Sequence, residues 1–188
     1  MKNLFCTAVA SLLFGVGMNS CGPSQEAAAP PPQAPEWVTK PPRDSDALYE
    51  VGSAKIDADV IRARRKAEDA ARQEIAIILD ARVKNVMDRF MQAHTDMINA
   101  ASLPPDDFTR SVSRSISQSA FETSQIQEIW QDRDNRVIYA LAVIAKSDIV
   151  KQIKSNVAAR CRSVFLEQKA DEVLEAMDVA LENWDVNR

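Results

Sequence analysis

From Val60 to Met97, apolar side chains return at steps of three and four: Val60, Ala63, Ala67, Ala71, Ile75, Leu79, Val83, Val86, Phe90, Ala93 and Met97. This spacing follows the α-helical turn and gathers the positions on one face. No Gly or Pro intervenes before Pro104, so the pattern predicts a helix of up to roughly 60 Å at ~1.5 Å per residue. Asp57 or Asp59 stands where its cap belongs. The row begins with Ala and continues with Ile, Leu, Val and Phe. Small side chains let backbones approach closely, so the Ala half is expected against a sheet and the bulkier half against another helix.

On either side of this helix the pattern changes period. Tyr49-Glu50-Val51-Gly52-Ser53-Ala54 reads as a short strand. Pro104-Pro105 ends the long helix. Asp106 or Asp107 can then cap a second helix carrying Phe108, Val112, Ile116 and Ala120 at spacing four. Ser111, Ser113, Ser115, Ser117 and Ser119 alternate through the same stretch, so a strand is the competing reading. Residues 123–131 read as a strand and 132–135 as a turn. Residues 136–145 form a strand with Val137, Tyr139, Leu141 and Val143 on one face and Ile138, Ala140, Ala142 and Ile144 on the other. A strand apolar on both faces is expected at the centre of a sheet, covered on both sides. Ala140 and Ala142 suit close docking of the Ala-rich half of the long helix.

Ser147 can cap a final, uninterrupted helix. Its first stripe is Ile149, Val150, Ile153, Val157, Cys161, Val164 and Phe165; its second is Ala170, Val173, Leu174, Met177, Leu181 and Trp184. The second stripe is a seam for a partner helix, on another copy or on the Val86, Phe90 and Met97 half of the long helix. The expected class is α+β: a small sheet of about three strands with helices packed on it and a long C-terminal helix.

The N-terminal 20 residues hold Lys2 and then an apolar run too short to span a membrane comfortably, the layout of a secretory signal. Met18-Asn19-Ser20-Cys21-Gly22 is similar to a bacterial lipobox, with Met18 in place of the commoner Leu and a bulkier Asn19. The similarity implies cleavage before Cys21 and acylation of its thiol and freed amine, an anchor strengthened by ~0.8 kcal/mol per buried CH₂. Residues 22–35, rich in Pro and Ala, form a semi-extended tether. By resemblance to lipoprotein sorting, Gly22 in place of Asp implies the outer membrane. The domain then spans 36–188, with Trp37 expected to pin the tether to it.

Net charge is −4 over 188 residues, which argues against a global electrostatic grip on nucleic acid. Four Gly and few aromatics fit a helix-rich chain. With Cys6 in the signal and Cys21 acylated, Cys161 has no partner for an intrachain disulfide and reads as a small buried side chain. His94 is the only histidine, so a triad or a histidine metal cluster lacks its members. The basic run 62–66 is followed by Glu68, Asp69 and Glu74. Arg64/Glu68 and Glu68/Arg72 are spaced for i,i+4 pairing, the pattern of a self-neutralising solvated face. No P-loop, HExxH or CxxC occurs, and no catalytic, cofactor-binding or metal residue is assigned.

The order of elements resembles the Lpp-twenty lipoprotein family, which includes a flagellar outer-membrane lipoprotein. The residues that carry the likeness are Pro35, Glu36-Trp37 and Pro41-Pro42, then 49–54, then Ala63-Arg64 through Ala70-Ala71-Arg72-Gln73-Glu74-Ile75-Ala76, and the late strand 137–142. It spans roughly 35–149. The resemblance implies a periplasmic α+β domain held to the outer membrane through Cys21, with structural, adhesive or flagellum-associated roles and no catalytic residues. The partner expected is another copy or an envelope or flagellar protein. The alternative is a monomeric module that binds lipid or a peptidoglycan fragment.

Overall fold

The computed structural model describes residues 33–94, 104–164, 167–182 and 184–187. The chain divides into two units, Met1–Pro32 and Gln33–Arg188, and all described residues belong to the second. After a 3-10 turn at Glu36–Val38 come β1 (Ala47–Lys55), α1 (Val60–Ala93), α2 (Pro105–Thr123), β2 (Gln125–Asp132), β3 (Val137–Ala145), α3 (Lys146–Val164) and α4 (Glu167–Glu182). The strands form one antiparallel sheet in the order β1-β3-β2. This is the α+β class expected, with β3 at the centre.

Asp59 caps α1: its Oδ1 accepts from Ile61 N at 2.8 Å and from Arg62 N at 3.4 Å. The 34 residues reach about 50 Å at ~1.5 Å per residue. The buried row steps strictly by four, through Ala63, Ala67, Ala71, Ile75, Leu79, Val83, Met87 and Met91. In a helix of 3.6 residues per turn, each such step rotates the row by ~40°, so seven steps carry it about 280° round the axis. The Ala end therefore faces the sheet while the far end faces helices on another side. That rotation is why Val86 is only half-buried and Ala93 exposed, while Met87 and Met91 are buried instead. Met97 lies outside the described residues.

The close approach is made at Gly52. A Cβ there would stand 2.1 Å from Ala71 N and 2.4 Å from Ala67 O, both main-chain atoms. Ala140 and Ala142, expected at this contact, are fully buried on the same side of the sheet.

The Ser-rich stretch is helix, not strand. Phe108, Val112, Ile116 and Ala120 form its buried row, and two of its serines bond to neighbouring helices: Ser117 Oγ donates to Ala76 O at 3.0 Å and Ser115 Oγ to Asn156 Oδ1 at 2.7 Å. α2 starts at Pro105 with no side-chain cap, so Asp106 and Asp107 sit inside the first turn. There they still favour the helix N-terminus electrostatically. Thr123 ends α2 instead of opening β2. Ser147, likewise, falls inside α3, which follows β3 without a break.

Two expectations are corrected. The C-terminal segment is two helices, not one long one, and they fold against each other: Lys154 Nζ lies 2.8 Å from Asp178 Oδ1. Along one helix, residues 24 positions apart would stand ~36 Å apart. The second correction concerns the sheet. One core joins Leu48, Ile138, Ala140, Ala142 and Ile144 to buried residues of all four helices. Among the described residues no α-helix covers the opposite face of β3. There Val137, Tyr139 and Val143 remain half-exposed, and buried Leu141 lies outside that core.

Candidate functional site

The register decides which side chains share the open face. Tyr49, Val51 and Ser53 of β1 pair with Val143, Leu141 and Tyr139 of β3. On the other flank, Glu128 and Trp130 of β2 pair with Leu141 and Tyr139. Gly52, one step out of phase on β1, turns toward α1, so these residues turn away from it.

β2 reaches this arrangement through a bulge. Ile126 pairs with Ala142 but Glu128 with Leu141, so Gln127 is an extra residue. Ile126 and Ile129, three apart, would lie on opposite faces of a regular strand. The bulge puts both toward the helices and sends Trp130 to the open face. Trp130 and Tyr139 then form a cross-strand aromatic pair, centroids 5.6 Å apart and tilted by 32°, a contact worth ~0.5–1.5 kcal/mol beyond area burial.

Trp37 reaches the same face from the chain entry. Its Nε1 donates to Glu128 Oε2 at 2.7 Å, and only 8% of the residue is exposed. This bond puts the indole beside Leu141, which is 1% exposed although no described α-helix covers it. Trp37 thus pins the start of the described chain to the sheet. What remains open is a band of half-exposed Tyr49, Val51, Trp130, Tyr139 and Val143. Such a surface can bury apolar area against a flat partner and offers two phenol hydroxyls as orienting hydrogen-bonders.

Cys21, the one site residue assigned from the sequence, lies outside the described residues. His94 ends α1 with its ring stacked on Phe90, centroids 4.5 Å apart, and its Nδ1 3.0 Å from Phe90 O. A carbonyl only accepts, so Nδ1 carries the proton of this bond. Cys161 is free and fully buried, and burial pushes its thiol up to about 11. That is the inert structural cysteine expected. The basic run is neutralised only in part. Arg64 pairs with Glu68 at 2.8 Å, but Arg72 turns to Asp69 at 3.8 Å instead of Glu68. Among the described residues no group of three or more His, Cys, Asp or Glu is placed to hold a metal. Nor, among them, is any helix long and apolar enough to cross a membrane.

The open face was not singled out from the sequence, although a signal exists. β2 reads Gln-Ile-Gln-Glu-Ile-Trp-Gln-Asp, too polar on one side for a strand with both faces covered. No protein-family model matches the chain, and no curated protein matches it at a significant level.

Proposed function

We propose that this chain is an outer-membrane lipoprotein, anchored through Cys21, whose domain is a self-associating structural module of the cell envelope. The single observation that carries the assembly reading is the open sheet face, an apolar and aromatic band on the side opposite the four described helices. The anchor reading is supported by the apolar run that ends at Cys21 and the Pro/Ala-rich segment after it. The resemblance to the Lpp-twenty family supports an outer-membrane location and a flagellum-associated setting.

A second copy is the occupant these features favour. A lipid anchor confines copies to one plane and raises their effective concentration. An apolar face that is the same on each copy is self-complementary about a two-fold axis. Two such sheets stack ~10 Å apart with interleaved side chains.

Intact mass, membrane fractionation and light scattering on the solubilised protein test both halves. The expected particle contains more than one acylated chain, and Trp130→Glu reduces it to a monomer that still melts cooperatively, a few degrees lower for the lost Tyr139 contact. Cys21→Ser should leave the protein unacylated and in the soluble fraction. A mature wild-type mass equal to bare polypeptide would sink the anchor, and a monomeric wild-type particle would sink self-association.

A further inference from the structure

The C-terminal half of α1 and the end of α4 do not close completely on each other. Between them lies a cavity of about 660 Å³, within the ~300–1,000 Å³ range of small-molecule sites. Val86 and Phe90 of α1 and Ala180 and Trp184 from the C-terminal segment make its apolar walls, and Arg82, Arg89 and the Asp185 carboxylate are its charged lining. The two arginines are seven residues apart, nearly two helical turns, so they lie on one face of α1.

Their situations differ. Arg82 is half-buried, and its guanidinium donates to Val186 O. Glu50 and Asp185 lie in its field, so much of its charge is already answered within the chain. Arg89 is exposed and makes no ion pair among the described residues. His94 closes the same end of the cavity. With Nδ1–H donating to Phe90 O, its Nε2 carries a lone pair and can only accept, as from a head-group hydroxyl. A wall of Val, Phe, Ala and Trp thus ends beside the Arg89 guanidinium.

From this arrangement we infer that the cavity binds a single-chain amphiphile with an anionic head. The chain lies along Phe90 and Trp184, and the anionic head group accepts from the Arg89 guanidinium. A fatty-acid carboxylate and a lysophospholipid phosphate share this chemistry. The inference goes beyond the assembly reading and uses a different part of the domain, so either can fail alone.

Calorimetric titration of the secreted Cys21→Ser chain, without detergent and below the critical micelle concentration, tests it. The probes are laurate, lysophosphatidylglycerol and, as an uncharged control, dodecyl maltoside. Saturable binding of an anionic probe is expected, and the tighter of the two identifies the head group. Arg89→Gln should weaken that probe about tenfold, the loss of one charge-assisted hydrogen bond, and leave dodecyl maltoside unchanged. Ala180→Trp fills the cavity and should abolish binding of all three. Circular dichroism establishes that each chain is folded. Absence of saturable binding by the folded parent overturns the inference. So does an Arg89→Gln chain with unaltered laurate affinity, or one that loses the neutral probe equally. Where Ala180→Trp does not fold, the Arg89→Gln comparison decides.

Discussion

Glu50 shows how far a single side chain can depart from what its sequence neighbourhood announces. In Tyr-Glu-Val-Gly it reads as the polar member of an alternating strand. The register instead pairs it with Ala142, on the helix-facing side of the sheet. Burial raises its pKa above the ordinary 4.5, and Glu74 of α1 raises it further, while Arg82 of α1 and Arg43 before β1 pull it down. The net direction is upward, so the folded chain takes up this proton more readily than the unfolded one. Its ionisation therefore subtracts stability as pH rises through the raised value, and that loss is absent below the ordinary value. Glu50→Gln is expected to melt higher than wild type at pH 7, with the difference shrinking as pH falls toward 4. Paired melting curves across that range check it. A difference that is constant with pH, or a lower melting temperature at pH 7, would show that the Arg82 contact outweighs the burial.

Between elements, the contact that positions the rest is α1 on β1 at Gly52. The backbone of β1 approaches the turn from Ala67 to Ala71 so closely that an added Cβ would fall 2.7 Å from Ala70 C as well as on Ala71 N and Ala67 O. All three are main-chain atoms of a helix, which cannot rotate aside. Gly52→Ala is expected to cost about 3 kcal/mol or more, the upper end of overpacking, read as a fall in the denaturation midpoint. An unchanged midpoint would mean that α1 slides freely on the sheet. Much of this contact was legible in the sequence, since Gly in a strand and Ala at spacing four both signal close approach. The central place of β3 was legible for the same kind of reason, an apolar run on both faces. Its open side was not, because half-burial under its own neighbours and one Trp selects the same residue types as full burial under a helix. The bulge at Gln127 was also hidden: its only mark is the three-residue spacing of Ile126 and Ile129, which a helix would show equally.

At the scale of the whole molecule, the decisive feature is how the last described helix packs. The stripe from Val173 to Trp184 has the periodicity of a seam, and periodicity alone does not say whether the partner is another copy or the same chain. The fold answers within the chain. Val173, Met177, Leu181, Trp184 and Val186 are all buried, and all join the core that α1, α2 and α3 build on the sheet. Polar contacts tie the same segment down: Asp178 to Lys154 at 2.8 Å, and Asn187 Nδ2 to Ala47 O at 3.3 Å. Truncating one such buried side chain costs ~2–5 kcal/mol, so Met177→Ala should lower the denaturation midpoint by that amount and still melt cooperatively. Removing residues 167–188 deletes five of them at once, a loss as large as or larger than the ~5–15 kcal/mol that holds a typical domain together. The truncated chain is therefore expected to lose cooperative melting, with ellipticity falling gradually on heating. If it instead melts sharply near the wild-type temperature, the last helix is an appendage of the fold. The seam would then be available to a second copy after all, and the open sheet face would no longer be the leading surface for assembly.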